Sequence, residues 1–305
     1  MKPTPKTFPG PPGKAPKPKF SKRPATPKTN EEAARKEDAY ARRKEKSLSK
    51  PGAVKKQTSG KTQSPAEEKM PLNKFIAHCG ICSRRDAVEL IREGRITLNG
   101  KVEQEPGTRV TEVDRIELDG KVLTPQKQLV YYLINKPKDY ITTTDDPEGR
   151  KTVLDLLPQA KEERVYPVGR LDRNTTGLLL LTNDGDLAQK LSHPSNKIKK
   201  VYHVVLDKPV IKKDFDRIVE GVMLEDGPAY VDELAYVEAD NKTELGLEIH
   251  SGRNRIVRRI FEHLGYQVKQ LDRVMYAGLT KKNLPRGKWR TLSPKEIIFL
   301  KHFRK

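Results

Sequence analysis

Chemistry in this chain centres on Asp172, which stands in the run Gly169-Arg170-Leu171-Asp172-Arg173 shortly before Leu178-Leu179-Leu180-Leu181. The four leucines read as a short strand covered on both faces, bounded by Gly177 and by the turn signal Asn183-Asp184-Gly185. Asp172 therefore lies on the loop that feeds a buried strand. An ionised carboxylate beside a core is costly unless a cation accompanies it, so Asp172 is a candidate for chemistry. The tetrapeptide alone also allows a plainer use, a turn cap or an ion pair with Arg170 or Arg173.

Further along, Lys199-Lys200-Val201-Tyr202-His203-Val204-Val205 alternates as a strand does, with Tyr202 able to offer an aromatic face. Leu245 to His250 reads as another strand. It runs into Ser251-Gly252-Arg253-Asn254-Arg255-Ile256-Val257-Arg258-Arg259, where glycine and then basic residues open a helix. Ile256, Val257, Ile260 and Leu264 supply its buried face, leaving Arg255, Arg258 and Arg259 partly outward. Val130 to Ile134 is an apolar strand that ends at Asn135-Lys136-Pro137, with Lys136 an RNA or architectural contact. Trp289 reads as packing.

Ahead of these elements stands a smaller unit. Leu72, Phe75, Ile76 and Cys79 recur at helical steps and Gly80 closes the helix. Ser83 then caps a second helix carrying Ala87, Leu90 and Ile91, which ends at Gly94. Short strands follow, punctuated by Asn99-Gly100 and Asp119-Gly120. Lys74, Arg84, Arg85, Arg92 and Arg95 place positive charge on this unit, either a merely solvated basic face or a patch for phosphates.

Composition agrees with a polyanionic partner. The 305 residues carry a formal net charge of +20, with 34 % hydrophobic and 6 % aromatic residues, low for one compact globule. Met1 to Met70 holds 19 Lys and Arg against 7 Asp and Glu, and 11 prolines, which predicts a disordered basic tail. Within it, Glu31 to Lys46 has helix-forming composition but no apolar stripe. The tail is Lys and Pro dominated, unlike a transit peptide. With no long apolar segment or signal-peptide core, the expectation is a cytoplasmic protein without a membrane contact. The two cysteines, Cys79 and Cys82, lack the further ligands a zinc site of this spacing needs, and they read as small buried residues on a helix. No metal is predicted.

Taken as a string, Val168 to Gly185 resembles the catalytic motif of the bacterial ribosomal pseudouridine synthases, in the group of small-subunit synthase A and large-subunit synthases B, E and F. Leu72-Asn73-Lys74-Phe75-Ile76-Ala77, Ser83-Arg84-Arg85, Gly94 to Lys101 and Asp114 to Gly120 resemble the S4 RNA-binding domain. Arg253 to Arg259 is similar to the group's G-R-x-x-x-V-R-R element, with Ile256 where relatives often carry glutamine. Within the group, the S4-like unit together with the Asp172 and Arg253 motifs most resembles the large-subunit synthases of type B. The resemblance covers nearly everything after residue 70.

It implies an α+β fold: a basic tail over 1–69, an S4-like RNA-binding domain over 70–128, and a catalytic domain over 129–305 with a mainly antiparallel sheet. It further implies that the chain isomerises a uridine of ribosomal RNA, expected to be that of the large subunit (23S), through base flipping and covalent attack by Asp172. Tyr202 would stack on the base. Arg253, or else Arg258, would pair with Asp172, and Arg170 would take a phosphate or the vacated position. Lys136, Arg173, Lys199, Lys200, Arg255 and Arg259 would join the S4 cations in holding RNA. No cofactor is implied, since isomerisation consumes nothing. The partner is ribosomal RNA or a ribosomal subunit precursor, met by a monomer. The rivals are a non-catalytic S4-domain assembly factor, whose sign would be a missing nucleophile, and another RNA-modifying enzyme such as a methyltransferase, which would need a glycine-rich loop after a strand that the sequence lacks.

Overall fold

Local signals set most of the first module. The structure, a computed structural model, describes residues 69–126, 128–160 and 162–302. The tail over 1–69, with its Glu31 to Lys46 segment, lies outside the described residues except for Lys69. Strand β1 (Met70–Pro71) leads into α1 (Leu72–His78). Gly80, at φ +71°, lets the chain leave the helix. Ser83 caps α2 (Arg84–Arg92): its hydroxyl accepts from Asp86 N at 3.2 Å, and the Asp86 carboxylate accepts from Ser83 N at 3.2 Å.

Strands β2 (Ile96–Leu98), β3 (Lys101–Val102), β5 (Ile116–Leu118) and β6 (Lys121–Val122) form a sheet in the order β3-β2-β5-β6, while β4 (Arg109–Val110) pairs with β1. Both hairpin turns, Asn99-Gly100 and Asp119-Gly120, have positive φ at both residues, the geometry that matches strand twist. Leu72, Phe75, Ile76, Ala87, Ile91, Ile96 and Ile116 bury together as this module's core.

The second module is built on one large sheet. Its strands are β7 (Tyr131–Lys136), β8 (Tyr166–Pro167), β9 (Thr176–Thr182), β10 (Lys200–Leu206), β13 (Glu233–Tyr236), β14 (Glu244–Ile249), β15 (Val268–Tyr276), β16 (Leu279–Thr280) and β17 (Trp289–Thr291). The order is β13-β14-β10-β15-β9-β7-β17, with β16 on β15 and β8 on β9. Every pairing is antiparallel except β15 with β9. The architecture is the expected α+β one with a mainly antiparallel sheet.

Every residue of β9 is buried, because the sheet is covered on both faces there. Leu178 and Leu180 pack into one cluster with Leu133 and Tyr276, and Leu179 and Leu181 into another with Ile134 and Leu171. Asn183-Asp184-Gly185 is not a hairpin turn as its residues suggest. Asp184 caps α3 (Gly185–Ser192), accepting from Leu187 N at 2.9 Å. Helix α4 (Lys212–Glu220), the small hairpin of β11 (Val222–Leu224) with β12 (Gly227–Ala229), α5 (Ile256–His263) and the C-terminal α6 (Pro294–His302) complete the module. Trp289 packs edge-on against Tyr132, 5.4 Å between ring centres.

The two modules have separate cores but fall in one compact unit. Lys74 on α1 pairs with Asp186 on α3 at 2.5 Å, and the Arg164 guanidinium donates to the Ile81 carbonyl. Among the described residues no helix is long and apolar enough to cross a membrane.

Candidate functional site

Asp172 sits where several strands deliver their ends to one cleft of about 240 Å3. The loop before β9 carries it, and backbone contacts hold that loop. Thr142 Oγ1 donates to Leu171 O at 2.8 Å and accepts from Leu171 N at 3.3 Å. Thr175 N closes a turn on Asp172 O at 3.0 Å. The Lys136 ammonium donates to Thr175 O, Pro137 O and Arg173 O at 2.8, 3.0 and 3.2 Å, and Arg258 Nη2 donates to Asn174 O at 3.4 Å. The Asp172 carboxylate itself makes no hydrogen bond among the described residues and lines the cleft. It is the single acidic side chain among the described lining residues, against Arg170, Lys200, Arg253, Arg255 and Arg273.

Lys136 corrects the expectation of an RNA contact. It is buried at the end of β7, lies outside the lining of the cleft and spends its ammonium on three carbonyls of the Asp172 loop, so the architectural role is the one it fills. Burial drives its pKa down to about 8, with the Asp172 and Asp139 carboxylates opposing that pull.

The cationic partners also differ from expectation. Arg253 does not pair with Asp172. Its guanidinium is taken by Asp226 at the tip of the β11-β12 hairpin, with Nε to Oδ2 at 3.0 Å, and by the carbonyl of Pro228 at 2.7 Å. Arg259 grips the same carboxylate, Nη1 to Oδ2 at 3.0 Å. Those hydrogen bonds, from Arg259 first and Arg253 next, hold the Asp226 carboxyl well below the usual range.

Arg258, read as partly outward, is instead buried on α5, with Nη1 on Val268 O at 3.0 Å and Nε without a partner among the described residues. Burial lowers its pKa, Arg255 adds to this, and the Asp172 carboxylate acts against it. Arg258 is thus the arginine of this element whose charge is coupled to Asp172.

Tyr202 is half-buried on β10 and lines the cleft, cross-strand from Arg273 of β15. Lys200, two residues earlier, is drawn inward. Its ammonium donates to His250 O at 2.8 Å and Ser251 O at 3.2 Å, and burial, reinforced by Arg273, lowers its pKa to about 8. Arg170 lines the cleft rim, exposed and without a side-chain partner among the described residues.

The remaining predicted cations divide into engaged and free. Arg173 pairs with Asp139 at 3.2 Å, Lys199 with Glu248 at 2.5 Å, Arg255 with Glu262 at 3.1 Å and Arg95 with Asp119 at 2.5 Å. Lys74 is engaged by Asp186 and serves the contact between modules. Arg84, Arg85 and Arg92 stay exposed on α2 with no side-chain hydrogen bond or ion pair among the described residues, a face free for phosphates. Cys79 is buried as expected, which pushes its thiol up to about 12, but Cys82 lies past α1 and is only half-buried.

Arg273 and its neighbour Asp272 escaped sequence reasoning. Asp272 is buried and gathers Arg286 at 2.9 Å, Thr176 Oγ1 at 2.8 Å and the Lys281 ammonium. The signal was present, an Asp-Arg pair inside the apolar strand Leu271-Asp272-Arg273-Val274-Met275-Tyr276.

The Asp172 carboxylate is thus a lone, half-buried acid facing a cationic cleft. It sits on a loop tied down by hydrogen bonds from Thr142, Lys136 and Arg258 and has an aromatic face nearby, which suits covalent attack on a flat ring inserted from a polyanion.

Comparison with known proteins points to one family. The family model "RNA pseudouridylate synthase" matches residues 130–263, and the S4 domain model matches residues 70–116. An uncharacterized RNA pseudouridine synthase of Aquifex aeolicus is 42 % identical over 232 residues, 75 % of this chain and 92 % of that one. Ribosomal large subunit pseudouridine synthase B of Bacillus subtilis is 44 % identical over 230 residues, 74 % of this chain and 93 % of that one. A crystal structure of a pseudouridylate synthase matches with a TM-score of 0.56 at 29 % identity, covering 76 % of this chain and 99 % of that one.

Proposed function

The chain belongs to the RNA pseudouridylate synthase family, and we propose that it isomerises one uridine of large-subunit ribosomal RNA with Asp172 as nucleophile. The carrying observation is the Asp172 carboxylate, free of hydrogen bonds and the single acid among the described residues lining a cationic cleft. The large-subunit target is supported by the name of the Bacillus subtilis relative, 44 % identical, of which this chain covers 93 %.

In this reading RNA lies along Arg84, Arg85 and Arg92 of the S4-like domain, 70–128, and enters the catalytic domain, 129–305. The uridine is turned out of its stack onto Tyr202. An Asp172 oxygen then bonds to C1′ of the ribose or to C6 of the base. By the first route the C1′–N1 bond breaks as the ester forms and uracil leaves as its N1 anion. By the second the carboxylate adds across C5–C6 before that bond breaks. In both, the ring turns, C5 joins C1′, the ester bond to Asp172 breaks, C5 loses its proton and N1 gains one. Nothing is oxidised and no cofactor is consumed. Arg258, buried against the Asp172 loop, is the cation that accompanies the nucleophile, and Arg170 meets a phosphate at the rim. The enzyme works as a cytoplasmic monomer on rRNA or a ribosomal precursor.

The test is pseudouridine mapping on ribosomal RNA from cells lacking the gene, complemented with wild type or Asp172→Asn. One large-subunit site should vanish on deletion and return with wild type alone. Restoration by Asp172→Asn removes the nucleophile from this reading, and an unchanged map removes the reaction.

A further inference from the structure

The cleft holds a second cationic group that the nucleophile does not use. Arg273 is 2 % exposed, on the central strand β15. Its Nε donates to Leu178 O at 2.7 Å and its guanidinium carbon stands 4.5 Å from the centre of the Tyr276 ring. Its Nη2 has no hydrogen-bond partner among the described residues, although Arg273 lines the cleft. Lys200 lines the same cleft with its ammonium resting on two carbonyls and no carboxylate.

Strand register explains why these side chains meet. Lys200 pairs with Tyr276, Val201 with Met275 and Tyr202 with Arg273, so Val274 is an extra residue in β15. That bulge lets Arg273 and Tyr276, three apart, share the face that Lys200 and Tyr202 present. Without it Arg273 would point to the opposite side of the sheet.

Electrostatically the cleft has two halves. The Asp172 charge is felt by Lys136 and Arg258. The Arg273 charge is felt by Lys200 and Tyr276. Two neighbouring cations whose side-chain hydrogen bonds among the described residues go to carbonyls and not to a carboxylate, one with an unused N–H donor, are an unfavourable arrangement until an anion arrives.

We propose that Arg273 and Lys200 form an inner anion subsite that takes a phosphodiester flanking the extruded uridine. This rests on the synthase reading above and adds to it the contact that seats the flipped nucleotide. Phosphate is the fitting ligand because it supplies both the charge that the pair lacks and the acceptor oxygens that the free N–H requires, in bidentate reach of a guanidinium. Tyr202 then meets the base while the adjacent cations anchor its backbone.

The experiment uses the full chain and a large-subunit rRNA fragment carrying one neutral methylphosphonate, at the linkage 5′ or 3′ of the target uridine, each against its phosphodiester control. Wild type should lose at least about tenfold in kcat/KM with one of the two neutral linkages. Arg273→Met should lose a similar factor with the natural RNA and lose little more with that neutral linkage. Arg273→Lys should recover part of the loss. Such non-additivity would not arise from a merely structural Arg273. Lys200→Met, at a less buried position, repeats the test if Arg273→Met fails to fold, and the neutral linkages need no variant at all. Full turnover by wild type with both neutral linkages overturns the subsite while leaving the synthase reading intact. A wild type that modifies no fragment overturns both.

Discussion

Gly177 and Arg273 face one another across the parallel junction of β9 and β15, and a Cβ built on Gly177 would stand 2.5 Å from the Arg273 amide nitrogen and 2.8 Å from its carbonyl carbon. Gly177 also has φ +108°, a conformation side chains rarely adopt. The glycine that closes the Asp172 motif is therefore what lets the strand bearing Arg273 lie against the strand that Asp172 precedes. Gly177→Ala should lose on the order of 2 to 4 kcal/mol of stability and most turnover, as the strands part or the loop shifts. Urea unfolding monitored together with pseudouridine formation checks this. A variant with wild-type stability would show that the close approach is not needed.

Lys136 predicts a pH dependence. Its pKa is about 8 in the folded protein against 10.5 for a free lysine. Below about pH 8 both states hold the proton and the burial cost is fully present. Between about 8 and 10.5 the unfolded chain holds more protons, so stability rises with pH by up to on the order of 3 kcal/mol. Lys136→Met lacks this contribution and leaves three carbonyls of the Asp172 loop without their donor. Denaturation of both proteins at pH 7.5 and 10 should show wild type gaining relative to the variant, since other groups cancel. A constant difference between them would contradict the burial argument. The variant should also turn over more slowly at every pH.

What could be read from residues alone was mostly local. The Ser83 cap, the Asn99-Gly100 turn and the doubly covered leucines of β9 each depend on neighbours within a few positions. Which alternative Lys136 takes, where Arg253 is held and that Arg273 enters the cleft are not legible in sequence, because their partners are remote. Arg253 meets an aspartate 27 residues away, Lys136 meets a carbonyl 39 away, and Arg273 meets one 95 away. Periodicity reports which face a residue takes, and it carries no information on which strand lies beside it. Four arginines close together on and before α5 therefore look alike in sequence, and only the hairpin and β15 sort them into clasped, buried and exposed.

Among the S4 cations the structure separates exposed, unpaired arginines from a lysine spent on a contact between modules. Arg84, Arg85 and Arg92 have no side-chain partner among the described residues, so changing each to Ala should reduce the salt slope of RNA binding by about one. Lys74 is already neutralised by Asp186, and Lys74→Ala should leave the slope unchanged. Filter binding across a salt series distinguishes the two classes. A slope change for Lys74→Ala equal to that of Arg84→Ala would return Lys74 to the RNA face.

Asp226 restrains two arginines at once. It holds Arg253, which lines the cleft, and Arg259 behind it, with a carboxyl that stays ionised throughout the neutral range. The clasp fixes Arg253 in place and withholds two positive charges from passing phosphates. Asp226→Asn keeps the side-chain shape but removes the charge, leaving two arginines to seek another anion. RNA should bind more tightly at low salt with a slope steeper by about one, because an added cation releases an added counterion. Turnover should fall all the same, since a freed Arg253 no longer has a single position beside the extruded nucleotide. Because Asp226 titrates below the usual carboxylate range, neither effect should appear in wild type on acidification from pH 8 to 5. Binding titrations and single-turnover rates on one RNA separate the two outcomes. Tighter binding with unchanged turnover would assign the clasp to affinity alone, and no change in either would leave Asp226 as a hairpin anchor.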